Sequence, residues 1–170
     1  MHKHLLTALV FFALTINSFA QNNNWSKWEW LLGQWQGVGS GQAGDGNGTF
    51  TFSLELDKKV MVRKSHSEYQ VVGSKTNNVH DDLMVIYPDV KGNPSKAIYF
   101  DNEGHTINYN ISFSNSAKSI VFLSAKVANT PVFRLTYTLL DNKEVNTKFE
   151  ISRDGSEFMN YTEGNSKKVK

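Results

Sequence analysis

The chain has no cysteine, which excludes disulfide bonds, thiolate zinc sites and thiol catalysis together. Charge of one sign is also missing. Lysine and arginine number 18 against 16 aspartates and glutamates, a balance that points neither to nucleic acid nor to an anionic membrane. Proline occurs three times, at Pro88, Pro94 and Pro131, each at the edge of a strand-like segment. No apolar run reaches the roughly 20 residues needed to cross a bilayer as a helix. Histidine is missing from everything after His105.

The longest apolar stretch, Leu5 to Leu14, follows the short basic start His2-Lys3-His4 and precedes Ser18-Phe19-Ala20. That order is the pattern of a secretory signal peptide cleaved before Gln21. Residues 1–20 are therefore expected to be a leader, and the product to be soluble and secreted or periplasmic. Cleavage leaves 150 of the 170 residues, with 17 basic residues once Lys3 is gone against 16 acidic ones. That length suits one domain with one core, here assigned to residues 21–164, with a flexible Lys-rich tail at 165–170. With no disulfides, the domain must be held by that core.

Ser26 to Leu32 reads as two turns of helix, with Ser26 and Glu29 as a capping box and Trp25, Trp28, Leu31 and Leu32 on one face. All four tryptophans fall between Trp25 and Trp35, which suggests a plug packed on the end of a barrel. After Gly33 the pattern turns to period two, rich in Val, Ile, Thr, Phe and Tyr. Ten strands are predicted: 34–40, 49–56, 59–69, 79–87, 95–101, 105–113, 118–126, a strand opened by Pro131, 145–152 and 156–162. Asn102-Glu103-Gly104 and Asp154-Gly155 mark hairpins. Without long helices between them, such strands cannot form a parallel sheet. Short connections favour an all-β, ten-stranded antiparallel up-and-down barrel with a short N-terminal helix over a sandwich.

Leu31-Leu32-Gly33-Gln34-Trp35-Gln36-Gly37-Val38-Gly39 carries a G-x-W start and resembles the opening of the lipocalin and fatty-acid-binding-protein (calycin) barrels. Its L-G-x-W-x-G-x-G pattern is most similar to nitrobindin-like proteins. The resemblance implies a barrel with a ligand cavity, its Trp plugging the closed end. Nitrobindins bind haem through a late histidine, and no such residue exists here. No cofactor is expected, although haem stays open as an alternative through His66, His80 or His105.

Candidate site residues follow from alternation. In the third strand, His66 and Glu68 share one face; Arg63 and Tyr69 share the other. His80 and Asp82 share a face in the fourth. Two His-x-acid pairs on adjacent strands could converge on a metal or act as an oriented general base, with His105 nearby; equally, they could be exterior polar positions. Tyr99 and Asp101 oppose Ile98 and Phe100, so both faces are mixed, as in a barrel with a partly polar interior. Arg63 and Arg134 are the preferred interior anchors for an acidic ligand head, the alternative being that they pair with nearby carboxylates. Tyr69, Tyr87, Tyr99, Tyr109 and Tyr137 could form cavity wall. The glycines from Gly37 to Gly48 lack phosphate-loop spacing and suggest a flap at the mouth. The expected function is an exported protein holding a small hydrophobic or amphipathic molecule. The alternatives are an enzyme and a haem or metal barrel.

Overall fold

The computed structural model describes residues 24–38, 48–70, 77–141 and 143–169. The expected leader at residues 1–20 and most of the glycine-rich segment lie outside them.

A short 3-10 helix, η1 (Ser26–Leu31), precedes ten strands. These are β1 (Gly33–Val38), β2 (Thr49–Glu55), β3 (Val60–Gln70), β4 (Asn77–Pro88) and β5 (Pro94–Asp101), then β6 (Thr106–Phe113), β7 (Ser119–Ser124), β8 (Val132–Asp141), β9 (Glu144–Ser152) and β10 (Met159–Lys168). Every strand pairs antiparallel with its sequence neighbours, and β10 returns to β1, closing the barrel. The expected all-β meander is what forms. Tight connections make sequential pairing the shortest route, and closure removes both exposed edges.

The helix differs from its expected form. It is 3-10, and no side chain caps it in the manner of a capping box. Asn24 Oδ1 accepts the Ser26 N–H and the Ser26 hydroxyl instead. The three-residue turn suits the sequence, because it stacks Trp25, Trp28 and Leu31 along one buried edge. Two indoles then tie the plug to the barrel's closed end. Trp25 Nε1 donates to the Lys58 carbonyl (2.8 Å) in the β2–β3 turn, and Trp30 Nε1 to the Ala117 carbonyl (3.2 Å) in the β6–β7 turn. Trp35 enters the barrel from β1 and donates to the Leu31 carbonyl at 2.8 Å. In the β2–β3 turn Leu56, Asp57 and Lys58 all carry positive φ, near 50–60°, a conformation that costs non-glycine residues energy. The Trp25 bond to Lys58 helps to hold it.

The last strand also departs from expectation. Residues 165–168 are not a tail but the half of β10 that seals the barrel, with Asn165, Ser166, Lys167 and Lys168 opposite Val38, Gly37, Gln36 and Trp35. The sequence there is polar, but what a closing strand needs is backbone hydrogen bonds and small inward residues. Gly164 and the buried Ser166 supply those.

The core fills the closed half. Trp28, Trp35, Phe50, Phe52, Met61, Met84, Ile86, Ile120, Phe122 and Tyr137 pack there, Trp28 on Phe122 and Phe52 on Tyr137 edge to face and Trp35 stacked on Phe50, several with no exposure at all. Toward the opposite end the inward faces open. Along β3, Met61 and Arg63 are buried, whereas Ser65, Ser67 and Tyr69 are partly exposed; along β4, Ile86 and Met84 are buried, whereas Asp82 and His80 are not fully so. Inward-facing Tyr99, Ile107, Phe133 and Phe149 are likewise partly exposed. Inward side chains that keep some exposure show that the mouth half is not filled to the rim and leaves a hollow open at that end.

Candidate functional site

Register decides which side chains reach that hollow. Because side chains alternate, partners directly opposite each other share a face. Phe52 opposes Arg63, Arg63 opposes Met84, and Met84 opposes Tyr99, so all four point inward. Asp82 opposes both Ser65 and Asp101, and Tyr109 opposes Ala97 and Ser124. His66 opposes Thr49 and Asp81, on the outer wall.

At the floor of the hollow the Arg63 guanidinium pairs with Asp82 and lies over the rings of Phe50 (5.6 Å) and Tyr137 (6.0 Å). Burial works against its charge, but Asp82, supported by the phenols of Tyr137, Tyr99 and Tyr109, outweighs it and raises the pKa further. Burial in turn pushes the phenols up, Tyr137 to about 12 and Tyr99 and Tyr109 higher still, so all three are neutral hydrogen-bonding groups at any physiological pH.

Above this floor a polar chain climbs to the rim. The Tyr99 hydroxyl donates to Asp101 Oδ2 (3.2 Å) and sits 3.1 Å from His80 Nε2. His80 Nδ1 is 3.2 Å from Glu103 Oε1, in the β5–β6 turn. Asp101 also accepts the backbone N–H groups of Glu103 (3.0 Å) and His105 (2.9 Å) and faces His105 Nδ1 at 2.9 Å. Burial would raise the Asp101 carboxyl, but these bonds prevail and hold it below the usual range.

The structure therefore gathers Arg63, Asp82, His80, Tyr99, Asp101, Tyr109 and His105 along one inner wall and rim, with Tyr69 higher on the same inner face. Four expectations are corrected. His66 and Glu68 point outward, so the two His-x-acid pairs stand on opposite sides of the β3–β4 wall and cannot converge. Arg134 is no interior anchor. It lies on the outer face of β8, where Nε and Nη2 hold both Glu150 oxygens (2.6 and 2.9 Å) and the guanidinium covers Phe158 at 3.9 Å. Tyr87 also faces out. Arg63 is interior, yet its charge is already taken by Asp82, so it is not a vacant carboxylate anchor. Sequence reasoning gave Tyr137 no more than a wall role and did not single out Thr147. Their register on β8 and β9, invisible in the sequence, is what places them beside Arg63.

On the outer wall, His66 contacts Asp81 (2.6 Å) and Glu68 (3.3 Å) beside a shallow depression of about 570 Å³ that also takes in Thr49, Lys64, Leu83 and Phe100. The Asp81 hydrogen bond, then that of Glu68, lifts the His66 pKa above its ordinary 6.5. A raised histidine contributes stability fully below the unfolded value and loses it as pH rises through the folded one. The His66 ring should therefore titrate above 6.5 in an NMR pH series, and Asp81→Asn should bring it down. An unmoved midpoint in that variant would contradict the assignment.

Among the described residues, no group of three His, Cys, Asp or Glu side chains is placed to hold a metal ion, and no helix is long and apolar enough to cross a membrane. The fold and site thus define a closed ten-stranded antiparallel barrel whose inner wall is polar toward the mouth. No protein-family model matches the sequence, and no curated protein matches it either.

Proposed function

We propose that the protein is an exported binding barrel of the calycin kind, which takes a small, partly apolar molecule into the mouth half of its interior. One observation carries this reading: inward-facing Tyr99, Ile107, Phe133 and Phe149 are partly exposed inside a closed barrel. Phe133 and Phe149 stack at 5.9 Å on one wall, and the His80–Tyr99–Asp101 chain faces the same space, giving an apolar surface with a few directed polar groups. The leader-like first 20 residues support export.

The test uses the neutral, environment-sensitive dye Nile red. It should bind the folded protein saturably, and Ile107→Trp, which fills the hollow, should abolish the emission change while the far-UV circular dichroism stays that of the barrel. No saturable binding, or binding indifferent to Ile107→Trp, refutes the reading. A second reading, haem held through His105, rests on Asp101 fixing Nδ1 and leaving Nε2 without a partner among the described residues, the usual orientation of a ligating imidazole. A Soret shift on haem addition that vanishes in His105→Ala would favour it, and a featureless Soret region would remove it.

A further inference from the structure

Three buried polar atoms have no hydrogen-bond partner among the described residues: Arg63 Nε, Tyr137 Oη and Thr147 Oγ1. Native interiors rarely leave such groups unmade, so each one asks for an explanation. They are not scattered. Tyr137 and Thr147 are directly opposed on β8 and β9, and the Arg63 guanidinium lies 6.0 Å from the Tyr137 ring centroid. All three can donate: the guanidinium nitrogen only donates, and each hydroxyl has a proton to give. The phenol keeps its proton, since burial raises it. The Tyr137 oxygen can take a bond from the Arg63 guanidinium, but the phenol and threonine protons still find no acceptor among the described residues, which calls for an oxygen.

Charge narrows the acceptor. Arg63 is already neutralised by Asp82, and among the described strand residues facing the mouth half it is the only lysine or arginine. A carboxylate coming in would pass Glu103 and Asp101 and finish beside Asp82, three like charges against one paired cation. An ammonium head would find donors and a guanidinium at the floor.

Resting on the binding reading above, we infer that the ligand of this barrel is an uncharged amphipathic carbonyl compound (a ketone, aldehyde, ester or amide) whose oxygen is received by Tyr137, Thr147 and Arg63 Nε. The apolar body then lies along Ile107, Phe133 and Phe149. The donors are sealed from solvent, so the oxygen reaches them through side-chain rotation at the floor rather than a preformed gap.

The experiment compares the methyl ketone, carboxylic acid, primary amine and plain hydrocarbon of one ten-carbon chain, each displacing Nile red from the full-length protein. The ketone should bind roughly five- to ten-fold tighter than the hydrocarbon, as one or two net hydrogen bonds allow, and tighter than the acid and the amine. Its carbonyl stretch should move to lower wavenumber when bound. Tyr137→Phe and the isosteric Thr147→Val should each weaken the ketone several-fold relative to the hydrocarbon and return the stretch toward its free position. Using two variants keeps the test open if one misfolds. An acid or amine that binds tighter, or a ketone whose affinity and stretch ignore both variants, overturns the inference. If Nile red itself does not bind, it is the hollow that fails rather than the choice of ligand.

Discussion

Arg63→Met alone should lower the unfolding free energy by about 3–5 kcal/mol, because it leaves the Asp82 carboxylate inside the barrel without its cation. The Asp82 side chain is only 6% exposed and that of Arg63 9%, so water cannot take over the lost partner. Asp82→Leu alone should cost about as much, by stranding the guanidinium over Phe50 and Tyr137. The double variant Arg63→Met with Asp82→Leu should regain most of the loss, since a buried ion pair is roughly neutral against well-packed apolar residues. Urea denaturation of the three variants gives the coupling directly. Single losses below about 1 kcal/mol, or a double variant that costs the sum of the two, would show that the pair is solvated rather than buried. The same cycle asks what the pair is for. A pair whose replacement leaves stability intact but spoils ligand discrimination is there for recognition.

Deleting residues 165–170 should be as damaging. All four β1–β10 residue pairs use Asn165 to Lys168, and the deletion also removes the Val169 N–H bond to the Gln34 carbonyl in β1 and the Lys168 N–H bond to the Lys143 carbonyl beside β9, both 2.8 Å. At a net 0.5–1.5 kcal/mol per hydrogen bond, opening that seam costs on the order of 5 kcal/mol, comparable with the whole stability of an ordinary domain. It also leaves β1 and β10 as free edges, which invite association between copies. The truncated chain should lose its cooperative urea transition and exchange its β1 amides quickly. Lys167→Ala, whose side chain is exposed, should change stability by no more than about 0.5 kcal/mol. A truncated protein with an unchanged midpoint would mean the seam contributes nothing.

Strand number and meander order were legible because they depend on local signals. Phe50-Thr51-Phe52-Ser53-Leu54 alternates, Asp154-Gly155 turns, and nine of the ten predicted strands coincide with observed ones to within a few residues. The tenth was misplaced because Gly164-Asn165-Ser166-Lys167 carries no apolar signal. Its order comes from the unpaired backbone of β1, which lies some 130 residues earlier in the chain. The plug was legible in the cluster of tryptophans, but the 3-10 turn that aligns Trp25, Trp28 and Leu31 was not.

The sequence by itself determined that His66 and Glu68 share a face, that Arg63 belongs to the opposite one, and that Tyr99 travels with Asp101. Alternation cannot say which of two mixed faces is the inside, since a shift of one residue exchanges them. Only closure of the sheet decided that, turning Arg63, Asp82, Tyr99, Asp101 and Tyr137 into one interior set while sending His66, Glu68 and Arg134 to the outer wall. The physical reason is that inside and outside are properties of the closed barrel, fixed by pairing between strands far apart in the chain.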